Sequence, residues 1–164
     1  MDAQETNFGM DGHFKLSGIL VVENGIPIKK RIFSGKIYKH DKEILEKYSI
    51  LERKDVGVWS FGLYELNFPT WSRYMLAKIK TIRKSGWSFA KTSHLLSFAK
   101  VFKDLEFDKD VLALGERKEK KSSHKTIALL KEEGRKVLRI LETEEIKVAK
   151  YYFLLVKKVR ETAL

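Results

Sequence analysis

Cysteine is absent from this 164-residue chain, proline occurs twice and glutamine once. Without cysteine there is no disulfide, no zinc–thiolate site and no thiol nucleophile. The longest uninterrupted apolar run, Tyr151 to Val156, is six residues, far short of the roughly 20 that a membrane-spanning helix needs. Met1 to Asp11 holds three acids and no basic residue, so no signal peptide is read there and a cytoplasmic protein is expected. No glycine-rich phosphate loop or nucleophile elbow occurs, and the histidines (His13, His40, His94, His124) are dispersed. No catalytic residue, metal site or cofactor is therefore assigned.

The most telling absence is of negative charge. From Leu66 to Lys103 there is no acidic residue, while Arg73, Lys78, Lys80, Arg83, Lys84, Lys91, Lys100 and Lys103 carry eight positive charges. The whole chain has 33 Lys+Arg and 22 Asp+Glu, a formal +11, and without this segment the balance is 25 to 22. Charge so concentrated favours a polyanionic partner, because each phosphate neutralised releases condensed counterions. Heat-labile side chains are also scarce, with three Asn, one Gln and three Met against 34% charged residues. That balance reads as thermophilic.

At 43% hydrophobic residues the chain can bury a core. Residues 1–12 read as a flexible tail and 13–164 as one compact domain, β-rich over 13–68 and mainly helical and basic over 69–164. The spacing predicts a β-hairpin over 13–39. Phe14 to Glu23 and Ile26 to Tyr38 are its strands, with Asn24-Gly25 supplying the positive φ angles of a two-residue turn. Pro27 suits an edge strand. A short helix is expected over 40–54, with Asp41 as N-cap and Ile44, Leu45 and Tyr48 inward. A third strand follows over 56–68.

Beyond Pro69, Thr70 or Ser72 can cap a helix over 72–84 that turns Met75, Ile79 and Ile82 inward. Arg73, Lys80 and Lys84 form a stripe roughly opposite that side. Ser85 to Ser88 breaks it, and Ser88 caps a second helix over 89–103, with Leu95, Phe98, Ala99 and Phe102 inward. Gly115 to Lys121 reads as a charged linker, and 122–134 as a helix with Ile127 and Leu130 inward and Gly134 as C-cap. Residues 135–141 and 147–155 fit two strands or a helical pair. The expected fold is α+β: a small N-terminal antiparallel sheet of hairpin plus third strand, then a helical C-terminal part with a helix–turn–helix and, as an alternative, a winged helix over 122–155.

The two helices over 72–103 form the helix–turn–helix candidate. In that reading Arg73, Lys78, Lys80, Arg83 and Lys84 hold phosphates, while Ser88, Lys91 and Thr92 face the groove. The function expected is nucleic-acid binding, with DNA favoured over RNA, by a regulator of transcription or of a mobile element; a homodimer on two half-sites is compatible with that reading. Trp71, Tyr74, Trp87 and Phe89 would stack on bases or pack at the helix junction, Trp87 being the most exposed. Lys29, Lys30 and Arg31 would extend the basic surface or merely guard a sheet edge. Two rivals stand beside this. One is a metal-dependent nuclease built on Asp104, Glu106, Asp108 and Asp110 or on the Glu-x-Lys pairs Glu52/Lys54 and Glu116/Lys118. The other is a module whose basic helix docks on an acidic protein.

Overall fold

The computed structural model describes residues 12–47, 53–66, 73–102, 108–120 and 123–159. Its strands and α-helices are, in order, β1 (Gly12–Val22), α1 (Ile28–Ser34), β2 (Ile37–His40), α2 (Lys42–Lys47), β3 (Gly57–Leu66), α3 (Arg73–Lys84), β4 (Ser88–Phe89), α4 (Thr92–Val101), β5 (Asp110–Lys120), β6 (Ser123–Glu132), β7 (Arg135–Glu142) and β8 (Tyr151–Lys158). All eight described strands belong to one mixed sheet. Its order is β1-β3-β8-β5-β6-β7-β2, with β4 paired to β8 beside β5. Pairing is antiparallel except at β8–β5 and β7–β2.

This overturns the expected division into an N-terminal sheet and a helical C-terminal part. Four of the strands lie beyond residue 109, and the helices fall in the middle of the chain. The apolar run at Tyr151–Val156 becomes the central strand, buried on both faces. Tyr152, Leu154 and Val156 point to one core cluster, Phe153 and Leu155 to the other. A short apolar run buried on both sides is what a central strand requires.

The first face carries α1, α2 and α4 through Ile32, Ile44, Leu95, Phe98 and Ala99, packed on Leu20, Phe61, Leu63 and Leu154. The second face carries α3, whose Ile79 and Ile82 join Tyr64, Leu66, Leu112, Phe153 and Leu155. On β1 a register shift between Phe14 and Leu16 sends these two side chains to opposite faces. Phe14 then meets Tyr64 and Trp87, each at 5.2 Å between ring centroids.

The Asn24-Gly25 turn forms, with Gly25 at φ +79°, but it leads into α1 rather than a returning strand. Pro27 has φ −59° and its carbonyl accepts from Lys30 and Arg31 N–H, so the proline starts a helix instead of edging a sheet. The expected strand shrinks to β2, which pairs with β7 at the far side of the sheet. The expected helix at 122–134 is strand β6. Ile127 and Leu129 face one core cluster, Ala128 and Leu130 the other. Gly134 is no helix cap: Glu133 (φ 51°) and Gly134 (φ 78°) make the tight turn between β6 and β7. A winged helix is thereby excluded, and β7 and β8, the strands it needed, are separated by β6 and β5. The charged linker at 115–121 is drawn into β5 as far as Lys120.

Five expected elements form close to their read positions. β1 matches the first hairpin strand, α2 covers part of 40–54, β3 lies within 56–68, α3 lies within 72–84 and α4 within 89–103. Asp41 precedes α2, yet its carboxylate reaches across to β7, accepting from Ile140 N–H at 2.7 Å and from Arg139 at 2.9 Å. Residues 1–11, Tyr48, Glu52, Thr70, Trp71, Ser72, Lys103, Asp104 and Glu106 lie outside the described residues. No described helix is long and apolar enough to cross a membrane.

Candidate nucleic-acid interface

α3 is held to the second face by one side of its wheel and closed by a local cap. Ile79 and Ile82 are buried, while Ala77, Lys80, Thr81, Arg83 and Lys84 face solvent. At its end Ser85 Oγ donates to Ile82 O at 2.5 Å, and Gly86 (φ 93°) donates to Arg83 O at 3.1 Å. Lys80, Arg83 and Lys84 form an exposed stripe, with no ion pair to any described residue. Arg73 shares the stripe by helical spacing; its side chain lies outside the described set. Just past the cap, Lys157 of β8 places its ammonium 6.0 Å from the Trp87 ring centroid.

The remaining candidates go elsewhere. Lys78 is buried, at 6% exposure. Ser88 is exposed, but on β4 opposite Val156, where it caps nothing. α4 begins at Thr92 and is capped from within: His94 Nδ1 accepts Lys91 N–H at 2.9 Å. Thr92 is fully buried, and the Lys91 ammonium sits 3.2 Å from both carboxylate oxygens of buried Asp55. Trp87 and Phe89 are buried too, so the aromatic expected to be most exposed is core.

Because β4 carries the chain through the sheet, α3 and α4 lie on opposite faces. They cannot form the helix–turn–helix expected at 72–103, whose helices must pack on each other. His94 is buried against Trp59, with ring centroids 4.5 Å apart. Burial, then the nearby Lys91 and Lys158 ammoniums, lower its pKa to about 3.

The acidic residues expected to alternate are already engaged where they are described. Asp108 accepts from Tyr152 Oη at 2.5 Å, and Asp110 from Lys131 N–H at 2.9 Å. The Tyr152 hydrogen bond holds the Asp108 carboxyl below its usual range. Tyr152 is shifted upward, first by desolvation and then by Asp108. Lys109 reaches Glu65 at 2.8 Å beside them. No group of three or more metal-type side chains occurs among the described residues.

Comparison with family models, curated proteins and solved structures found no match.

A second basic surface was not singled out from the sequence. An open groove of about 720 Å³ lies between the α1–β2 turn, the end of α4 and the β6–β7 turn. Phe33, Lys36, Tyr38, Lys100, Arg135 and Lys136 line it, and no lining residue is acidic. Phe33 is 85% exposed and Tyr38 65%. The Arg135 guanidinium stacks 4.2 Å from the Tyr38 ring centroid. The signal was present in the sequence: Asn24 to His40 is a second acid-free run, with Lys29, Lys30, Arg31, Lys36 and Lys39 interleaved with Phe33 and Tyr38.

Proposed function

We propose that the protein binds nucleic acid through phosphate contacts made by the outer stripe of α3. The observation that carries this reading is the row of exposed cations, Lys80, Arg83 and Lys84, which lacks carboxylate partners among the described residues. Three cations elsewhere do sit close to carboxylates, in Lys91–Asp55, Lys109–Glu65 and Arg139–Asp41. From Arg73 to Lys84 the helix rises about 16 Å. Duplex DNA carries a charge about every 1.7 Å of axis, so such a row spans several phosphates. Duplex DNA is the favoured ligand. With no recognition helix to enter a groove, the binding proposed is independent of base sequence.

The test is fluorescence anisotropy on duplex DNA, single-stranded DNA and RNA over a salt series, with and without magnesium. The triple variant Lys80→Ala/Arg83→Ala/Lys84→Ala is expected to weaken duplex binding and flatten the salt slope by about 2 to 3, from roughly 0.9 per lost phosphate contact. An unchanged affinity and slope would remove α3 as the binding surface. Magnesium-dependent cleavage would favour the nuclease reading. Failure to bind any probe would favour an acidic protein partner.

A further inference from the structure

We infer that the groove between the α1–β2 turn and the β6–β7 turn is a separate site for single-stranded nucleic acid. Phe33 and Tyr38 would stack unpaired bases, and Lys36, Lys100 and Arg135 would hold the backbone. Three observations meet there.

First, Phe33 and Tyr38 are two large aromatics set in the open, although nothing in folding favours a solvent-facing phenylalanine on a short helix. Ile28 and Ile32 already supply the buried side of α1. Flat rings exposed beside cations are the platform on which bases stack in sequence-tolerant single-strand binders.

Second, the lining is of one sign. Lys36, Lys100 and the adjacent Arg135 and Lys136 come from three separate places in the chain, and none of the lining residues is acidic. Lys136 is anchored, donating to Gly35 O at 3.1 Å and Ala99 O at 3.0 Å, and so ties the groove walls together. Lys29 and Lys30, four and three positions before Phe33 on α1, are exposed and extend the positive approach. Lys100 has one acid nearby, an exposed contact with Glu23 at 4.0 Å, which a phosphate would readily displace.

Third, the backbone holds this shape at a cost. Lys36 sits at φ 54°, in the left-handed region that non-glycine residues rarely occupy. The residue closes α1, its N–H donating to Phe33 O at 3.0 Å, and this turn sets the groove wall. The volume also falls within the roughly 300–1,000 Å³ of ligand clefts.

The site shares no residue with the α3 stripe and lies on the α1/α4 side of the sheet, so the two readings fail separately. The decisive probes are labelled oligo-dT, oligo-U and a hairpin duplex, bound to the wild type, to Phe33→Ala/Tyr38→Ala and to the α3 triple variant. The aromatic variant removes exposed side chains, and its folding is checked by thermal melting. It is expected to lose at least about tenfold in single-strand affinity, keep its salt slope and bind the duplex as before. Phe33→Tyr/Tyr38→Phe should restore single-strand binding. If oligo-dT is held and oligo-U is not, the ligand is DNA; the reverse result makes it RNA. The inference is overturned if the aromatic variant binds both oligonucleotides like wild type, or if wild type binds neither. It is equally overturned if the α3 variant alone abolishes single-strand binding.

Discussion

His94 Nδ1 accepts the backbone N–H of Lys91 at 2.9 Å, and that bond fixes the ring as neutral, with its proton on Nε2. The fold therefore carries a buried base whose pKa, about 3, is far below the ordinary 6.5. Below pH 6.5 the unfolded chain takes up a proton that the folded chain refuses. Stability should then fall as pH drops from about 6.5 towards 3, by up to a few kcal/mol. Melting temperature against pH reads this directly. His94→Gln keeps an acceptor for the Lys91 N–H but does not titrate, and should flatten the curve across that window. A variant curve parallel to wild type would mean that other groups carry the acid sensitivity.

The neighbouring Lys91–Asp55 pair should behave as a buried ion pair. Asp55 is only 4% exposed, and both of its carboxylate oxygens lie 3.2 Å from the ammonium. Asp55→Ala is expected to destabilise by about 2–4 kcal/mol, because it leaves a charge with its partner gone. Adding Lys91→Met should recover most of that loss in urea denaturation. Strictly additive effects would show that the two side chains are not coupled.

Gly115 and Gly134 should fail for different reasons when given a side chain. A Cβ on Gly115 would lie 2.3 Å from Phe89 O and 2.8 Å from Ala90 O, where β4 meets β5. Backbone atoms cannot step aside, so Gly115→Ala is expected to cost about 1–3 kcal/mol. Gly134 has nothing within 4 Å but sits at φ +78°. Gly134→Ala should destabilise by about 1 kcal/mol, and Gly134→Asn by less, since asparagine tolerates the left-handed region. Equal losses for Ala and Asn at 134 would argue against a conformational origin.

What the sequence made legible follows from how many readings each spacing allows. β3 and α3 were bounded well, the first by Trp59, Phe61 and Leu63 alternating and the second by Ile79 and Ile82 with a Ser-Gly stop. Ile28 and Ile32, four apart, share a face in a strand and in a helix alike, and the Asn-Gly turn tipped the choice wrongly. Ile127 and Leu130, three apart, suggested a helix. Thr126 to Leu130 is in fact a run buried on both sides of the sheet, where period carries no information. Lys91 and Thr92 looked solvent-facing because Asp55, the partner of Lys91, lies 36 residues earlier in the chain. Phe33 and Tyr38 fall in a segment whose spacing also fits a returning hairpin strand, and in a strand their interleaving with basic residues marks no shared surface.

The central place of β8 bears on how the molecule is assembled at the ribosome. Taken out, it leaves two fragments, β1–β3 on one side and β5–β6–β7–β2 on the other, each with an unpaired inner edge. Residues 151–158 are the last of the described strands to be synthesised, so these edges stay open until that segment emerges. Nascent chains stalled before residue 151 should accordingly be the most prone to pair with one another or to need a chaperone.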